Sequence, residues 1–422
     1  MEQFVIEGEK PLYGTVRIHG AKNAALPILA ATLLSGGIHE IHDVPRLKDI
    51  EVMGRILGAL GARFSRTGNR IQVDASTLRT CHIPDVLMRQ MRSSIFLMGP
   101  LLSRLGEVSV TRPGGCAIGS RPIDLHLYGL RSLGARIEEK DGLIRCSARK
   151  LTGATIHFKT PSVGATENVM LAAVRAEGTT VIRNAAREPE IVDLQAFLNR
   201  MGADVRGAGT DTIVIRGVRE LRPASHEIIP DRIVAGTLAV AAAAAGGEVT
   251  LTNTIPDHLR CTLNLLKRAG VSVSSEGDAI RVRSEGRHRA VGRIETQPYP
   301  GFPTDMQPQM MAFLCLAEGT SVICERIFDA RLKHVGELVR MGADLTVDGN
   351  TVWIRGVPHL TGADVEATDL RAGAALVVAG LAARGITRVG GVQHIDRGYE
   401  GLEEILRSLG GRIYRNSPSD SD

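Results

Sequence analysis

The chain has 422 residues, 43% of them apolar, enough for two or three domains with large buried cores and too apolar for a disordered chain. A formal net charge of +5 suits small anionic ligands but is too weak to argue for nucleic acid, and an aromatic fraction of 3% leaves few rings on which bases could stack. The opening MEQFVIEGEKPLYG lacks the apolar segment of a signal peptide, and the apolar run 233–245 is too short to span a bilayer, so the sequence predicts a cytoplasmic protein outside the membrane.

In chain order, six segments beginning near Lys22, Arg92, Gly164, Asp231, Asp305 and Asp369 open with polar residues and continue almost wholly apolar. That is the pattern of a buried helix. Most run into a glycine and a short β-branched strand, as at 178–182 and 319–323. An amphipathic helix follows and ends in a recurring signature: Leu60-Gly61-Ala62, Leu133-Gly134-Ala135, Met201-Gly202-Ala203, Ala269-Gly270-Val271, Met341-Gly342-Ala343 and Leu409-Gly410-Gly411. The glycines recur roughly every 70 residues and read as helix C-caps. A strand, a turn and a second strand come next. The clearest case is 344–355, where Gly349-Asn350 sits between two alternating runs and predicts a β-hairpin. The unit is helix, strand, helix, hairpin, six times over. Six units fit one closed array or two domains of three. Because a single core rarely exceeds about 250 to 300 residues, two domains are favoured, divided between Pro223 and Pro230.

The polar residues of the six buried helices all lie at the N-terminal end: Lys22 and Asn23, Arg92, 162–166, Asp231 and Arg232, Thr304 and Asp305, Asp369 and Arg371. Unpaired N–H groups and partial positive charge make a helix N-terminus an anion site. For any single helix these residues are as well explained as ordinary caps or solvated surface. Six in register, with Arg121 and Arg397 added, point to a positive cavity for phosphate and carboxylate groups. A carboxylate such as Asp305 or Asp369 in such a cavity reads as a general base or, equally, as a cap or arginine partner.

The stretch RPGGCAIGSRP (112–122) places Cys116 among glycines and between arginines. A cysteine there has the setting for a lowered pKa on a hinged loop and can serve as nucleophile or proton donor; the alternative is an incidental loop cysteine. The other five cysteines read as buried thiols. No Walker or dinucleotide-binding signature is present, His39 and His42 lack zinc-helix spacing and start a strand or loop, and neither a metal nor a cofactor is expected.

The blocks GAKNAALP (20–27), PGGCAIG (113–119), RPIDLH (121–126), SVGAT (162–166), NAAREPEIVD (184–193), FPTDMQ (302–307), ATDLRA (367–372) and HIDRGYE (394–400) carry a resemblance over essentially the whole chain. It resembles the UDP-N-acetylglucosamine enolpyruvyl transferases. The resemblance implies an α/β fold of two inside-out α/β barrel (prism) domains, each of three pseudo-symmetric units, with the active site in the cleft between them. It implies domains at 22–229 and at 1–21 plus 230–422. It implies transfer of the carboxyvinyl group of phosphoenolpyruvate to the 3-hydroxyl of UDP-N-acetylglucosamine, the first committed step of peptidoglycan precursor synthesis. Cys116 would protonate the methylene carbon and Asp305 would take the hydroxyl proton. Lys22, Arg121 and Arg397 would bind the phosphate and carboxylate. Asn23, Arg92, Arg121, Pro122, Ile123, Asp124, Leu125, Ser162, Val163, Gly164 and Ile327 would hold the UDP-sugar. Arg331, Asp369 and Arg371 would complete the polar cleft. One departure is that some members carry a lysine where this chain has Thr160, with Lys159 one step earlier.

Three rival readings compete with this one. The sister enzymes that act on shikimate 3-phosphate lack a lid cysteine, so Cys116 and the 20–27 block argue against them. A non-catalytic UDP-sugar-binding paralogue should have lost Cys116, Asp305 or Arg397, all of which are present. A nucleic-acid-binding repeat protein does not fit the scarcity of aromatics. The polar tail 416–422 carries no predicted element.

Overall fold

The computed structural model describes residues 2–111, 118–119 and 121–416. They form two compact units. The first contains 20–111 and 121–229; the second contains 2–19, 118–119 and 230–416. Each has its own hydrophobic core, one running from Ala21 to Ile228 and the other joining Phe4–Ile18 to Ile233–Ile413. Burying two separate cores is the expected outcome for a chain of this length.

The six apolar segments are helices: α1 Lys22–Ala31, α2 Met98–Leu105, α3 Val163–Ala173, α4 Arg232–Ala245, α5 Gln307–Leu314 and α6 Leu370–Ala382. Three lie in each unit. In the second unit all three pack on one another and each also packs on a sheet, so every face is covered. That suits the alanine and glycine that recur along α4 and α6: side chains this small let the helices approach closely. Two differ from the expected start. α2 is preceded by a 3₁₀ stretch, Arg92–Leu97, and α5 by a 3₁₀ turn, Thr304–Met306.

The signature glycines end the outer helices as expected. Gly61, Gly134, Gly202, Gly270, Gly342 and Gly410 have φ of 102°, 94°, 99°, 96°, 91° and 92°, a conformation that L side chains adopt only with strain. The hairpin read at 344–355 pairs Asp344–Asp348 with Thr351–Arg355 in antiparallel register, Val347 opposite Val352. His39 and His42 lie on the strand Ile38–His42.

Each unit holds three sheets. Five of the six are four-stranded. Their fourth strand is a parallel edge strand: Leu12–Arg17 in one sheet and, in the other four, an unforeseen strand of three residues such as Thr155–His157, which precedes α3 and pairs with Thr179–Arg183, the strand that follows it. The sixth repeat also departs from expectation. Among the described residues after Gly410 there is one strand, Arg412–Asn416, and its antiparallel partner is the N-terminal strand Gln3–Glu7. The equivalence is close. Gly8 donates to Gly385 O at 3.1 Å, as Gly217 does to Gly178 O and Gly356 to Gly319 O, both at 3.0 Å. A Cβ on any of the three would fall within 2 Å of a backbone oxygen, at 1.9, 1.6 and 1.4 Å, so only glycine fits. The two ends of the chain thus complete one repeat, and Asn416, read as part of a structureless tail, pairs with Gln3.

Among the five cysteines outside 112–117, Cys146, Cys315 and Cys324 are buried as expected, but Cys81 and Cys261 are only partly covered. Cys81 follows a loop and turns its thiol to Glu107 Oε1 at 3.3 Å, and Cys261 lies in the first turn of the amphipathic helix Arg260–Ala269.

Candidate functional site

The residues singled out in the sequence form two groups, one per unit. Cys116 lies outside the described residues.

In the first unit, Lys22 opens α1 and is only 8% exposed. A buried ammonium needs a counter-charge, and Asp49, on the helix Lys48–Ala59, lies 3.2 Å away. Asn23 beside it is exposed. Arg92 begins the 3₁₀ stretch before α2 and donates to the backbone oxygen of Arg121, which fixes the turn leading into the helix Asp124–Ser132. Arg121, Pro122 and Asp124 are exposed, Leu125 is half-buried and Ile123 is buried. Ser162 caps α3, its hydroxyl accepting from Ala165 N at 3.3 Å, with Val163 and Gly164 half-buried behind it. Lys159 and Thr160 are both exposed.

Sequence reasoning did not single out His126, yet it closes this group from below. Asn168 on α3 accepts from Gly99 N at 2.6 Å and donates to Ile95 O at 3.2 Å, which fixes its amide orientation. Its remaining N–H therefore faces His126 Nδ1 at 3.1 Å, so the ring proton sits on Nε2, near Gly164. Burial, reinforced by Arg92 and Arg121, lowers the pKa of His126 to about 3 and keeps it neutral.

In the second unit, Asp231 and Asp369 cap α4 and α6. Asp231 Oδ1 accepts from Ile233 N and Val234 N at 2.8 and 3.0 Å; Asp369 Oδ1 accepts from Arg371 N and Ala372 N at 2.9 and 3.0 Å. Asp305 is different. It lies on the turn before α5 and receives two guanidinium groups: Arg331 Nη2 at 2.6 Å on Oδ1 and Arg371 Nη2 at 3.0 Å on Oδ2. Both arginine side chains are 4% exposed, while Asp305 keeps 26%. Burial pushes its pKa up, but Arg371 and Arg331 outweigh it and hold the carboxyl well below the usual range. Ile327 is exposed and Arg397 half-buried, on the segments after the strand Thr320–Cys324 and the helix Val392–Ile395.

The three buried helices of the second unit meet at one phenol. Tyr399 Oη bonds Thr237 of α4 at 2.9 Å, Gln309 of α5 at 3.2 Å and Arg371 of α6 at 3.1 Å. Tyr399 falls within the HIDRGYE motif without an expected role, and Thr237 and Gln309 carried no sequence signal at all. The arrangement is a buried, donor-rich cationic cluster that holds one ionised, partly exposed carboxylate, which can take a proton from a hydroxyl placed beside it.

The chain matches the EPSP synthase family (3-phosphoshikimate 1-carboxyvinyltransferase) over residues 6–406. It is 55% identical to UDP-N-acetylglucosamine 1-carboxyvinyltransferase 2 of Caldanaerobacter subterraneus over 98% of this chain and 100% of that one. To the UDP-N-acetylglucosamine 1-carboxyvinyltransferase of Geobacter metallireducens it is 49% identical, over 98% and 99%. Among solved structures it is similar to the enolpyruvyl transferase NikO of Streptomyces tendae, with a TM-score of 0.88 and 28% identity over 99% of both chains. The EPSP synthase of Acinetobacter baumannii, at 18% identity and a TM-score of 0.77 over 99% of this chain and all of that one, shares the fold. The chain is a member of the EPSP synthase family and, within it, belongs with the UDP-N-acetylglucosamine 1-carboxyvinyltransferases.

Proposed function

We propose that the protein transfers the carboxyvinyl group of phosphoenolpyruvate to the 3-hydroxyl of UDP-N-acetylglucosamine and releases phosphate, at the entry to peptidoglycan precursor synthesis. The observation that carries this reading is near-half identity over the full length with relatives of that name. Asp305, ionised between two buried arginines, supplies the chemistry it requires. The two units are read as prism domains of three repeats each, 22–229 and 1–21 plus 230–422, and both groups of residues serve one reaction. We read the enzyme as cytoplasmic; no helix among the described residues is long and apolar enough to cross a membrane.

In this reading the sugar oxygen attacks the central carbon of phosphoenolpyruvate as its proton passes to Asp305. Cys116 delivers a proton to the methylene carbon, giving a tetrahedral phosphate ketal. The Cys116 thiolate then takes a proton back from the new methyl group as the carbon–oxygen bond to phosphate breaks, which restores the double bond, and the proton held on Asp305 leaves with the phosphate. Lys22, Arg121 and Arg397 balance the phosphate and carboxylate charges, which are greatest when phosphate departs. Ser162 to Gly164 and the 121–125 run hold the nucleotide, and Ile327 covers its sugar end. Asp369 caps the helix that presents Arg371.

Phosphate release from phosphoenolpyruvate, with and without UDP-N-acetylglucosamine, tests this for the wild type and Cys116→Ala. Release that needs both substrates and collapses in the variant supports the reading. Survival in the variant keeps the reaction and removes Cys116 from it. Release with shikimate 3-phosphate instead would replace the acceptor.

A further inference from the structure

Glu325 lies at the end of the strand Thr320–Cys324 and is 1% exposed. A buried carboxylate is costly unless several donors face it. Here four do, and they come from three different segments. Oε1 accepts from Thr296 Oγ1 at 2.8 Å, Ile327 N at 2.8 Å and Phe328 N at 3.2 Å. Oε2 accepts from Thr304 Oγ1 at 2.9 Å. The hydroxyl of Thr304 spends its proton on Glu325 and offers a lone pair to Arg331 Nη1, also at 2.9 Å. The other arm of Arg331 reaches Asp305. The backbone of Glu325 is fixed too: its N–H donates to Asn350 O at 2.8 Å and its carbonyl accepts from Asn350 Nδ2 at 2.7 Å.

The two carboxylate oxygens therefore face different tasks. One shapes the loop that carries Ile327. The other, through Thr304, fixes the guanidinium that orients Asp305. We infer that Glu325 is a positioning residue for the transfer, joining the acceptor-covering loop to the base through the chain Glu325–Thr304–Arg331–Asp305. This rests on the proposed carboxyvinyl transfer. It assigns Glu325 no contact with substrate and no proton transfer.

The chain runs through single hydrogen bonds, so it can be cut at one atom. Thr304→Val removes the hydroxyl and keeps the shape. Arg331 then loses the acceptor on its second nitrogen, and its grip on Asp305 loosens. Glu325→Gln keeps a carbonyl oxygen for the three donors at Oε1 and turns the other bond round: a neutral amide N–H now donates to Thr304, whose own proton loses its charged acceptor. Thr304→Val cuts the link and Glu325→Gln weakens it from the other side.

The test is steady-state kinetics on the full-length wild type, Thr304→Val, Thr304→Ser, Glu325→Gln and the double variant Thr304→Val/Glu325→Gln, with melting temperatures alongside. We expect kcat to fall about ten-fold in Thr304→Val and in Glu325→Gln, with KM for UDP-N-acetylglucosamine within about two-fold of wild type. Thr304→Ser should restore kcat. The double variant should be no slower than the worse single one, since one chain can be broken only once. Wild-type kcat in Thr304→Val, no rescue by serine, or multiplicative losses in the double variant would each overturn the inference. A kcat loss that merely follows a fall in melting temperature below the assay temperature, and vanishes on cooling, would also overturn it. A wild type that is inactive with both substrates instead overturns the functional reading, and this inference with it.

Discussion

Lys22 and Asp49 form a buried ion pair, 3.2 Å apart, with side-chain exposures of 11% and 5%. The pair holds the ammonium at the mouth of α1, beside the helix dipole that also favours an anion there. Removing the charge of Asp49 while keeping its size weakens the hold on Lys22. Asp49→Asn should raise KM for phosphoenolpyruvate about ten-fold and leave KM for the UDP-sugar nearly unchanged. Steady-state kinetics with each substrate varied in turn checks it. Equal effects on both constants would assign the pair to general stability of the first unit.

Tyr399 joins α4, α5 and α6 through one oxygen. Tyr399→Phe keeps the ring under Arg371, whose guanidinium carbon lies 5.4 Å from its centre, and removes the oxygen. Three buried polar groups then lose a partner. We expect a loss of about 2 kcal/mol and a melting temperature lower by roughly 5 °C. An unchanged melting temperature would mean that the other partners of these groups suffice.

The contrast between Gly410 and the edge strands shows what the sequence made legible. Gly410 is one of six glycines forced by the same backbone conformation, so a local requirement repeated six times announced the architecture in the residue pattern itself. The parallel edge strands were silent for the opposite reason. Ser225–Glu227 has three residues and a single buried one, His226, and its partner strand lies more than 180 positions earlier. The resemblance assigned 1–21 to the second half of the chain, but the pairing of Gln3–Glu7 with the last repeat was hidden, because a hairpin was expected to follow its own helix. At the site, the charged residues stood out by type and position. Glu325, Thr237 and Gln309 did not, since what they do depends on which neighbours packing brings to them.

Three histidines give the stability a defined pH dependence. Burial lowers the pKa of His39 to about 4, His126 to about 3 and His334 to about 4. All three are neutral when folded but take up a proton near pH 6.5 when unfolded. The unfolded chain therefore binds more protons below that pH. Stability is full above about pH 6.5 and falls as the pH drops toward about 4. His39 bonds Ser35 Oγ through Nε2 at 3.1 Å, and glutamine can keep a donor there without titrating. His39→Gln should flatten the slope of unfolding free energy against pH between about 4 and 6.5 by about 1.4 kcal/mol per pH unit. Urea titrations at four pH values measure it; parallel slopes would show that His39 does not contribute.

Asp305 has the opposite sign. Arg371 and Arg331 hold its carboxyl below the value of 3.8 that an unperturbed aspartate shows, so its charge is kept in the folded state to lower pH than in the unfolded one. The stabilisation is complete above about pH 4 and is lost only as the pH falls through the depressed value. Two consequences can be separated. Between about pH 5 and 9 the group does not change charge, so no acid limb of kcat/KM in that range belongs to it. Asp305→Asn should lower turnover by about a thousand-fold while the stability gap to wild type stays constant with pH above about 4. The gap arises because two buried guanidinium groups lose their shared counter-charge, a structural penalty that the variant carries whether or not substrate is present. Supplying acceptor cannot restore the rate, because what is missing is the place for the proton. A variant that kept more than about a tenth of wild-type turnover would leave Asp305 as a clamp for Arg331 and Arg371 and would move the base elsewhere.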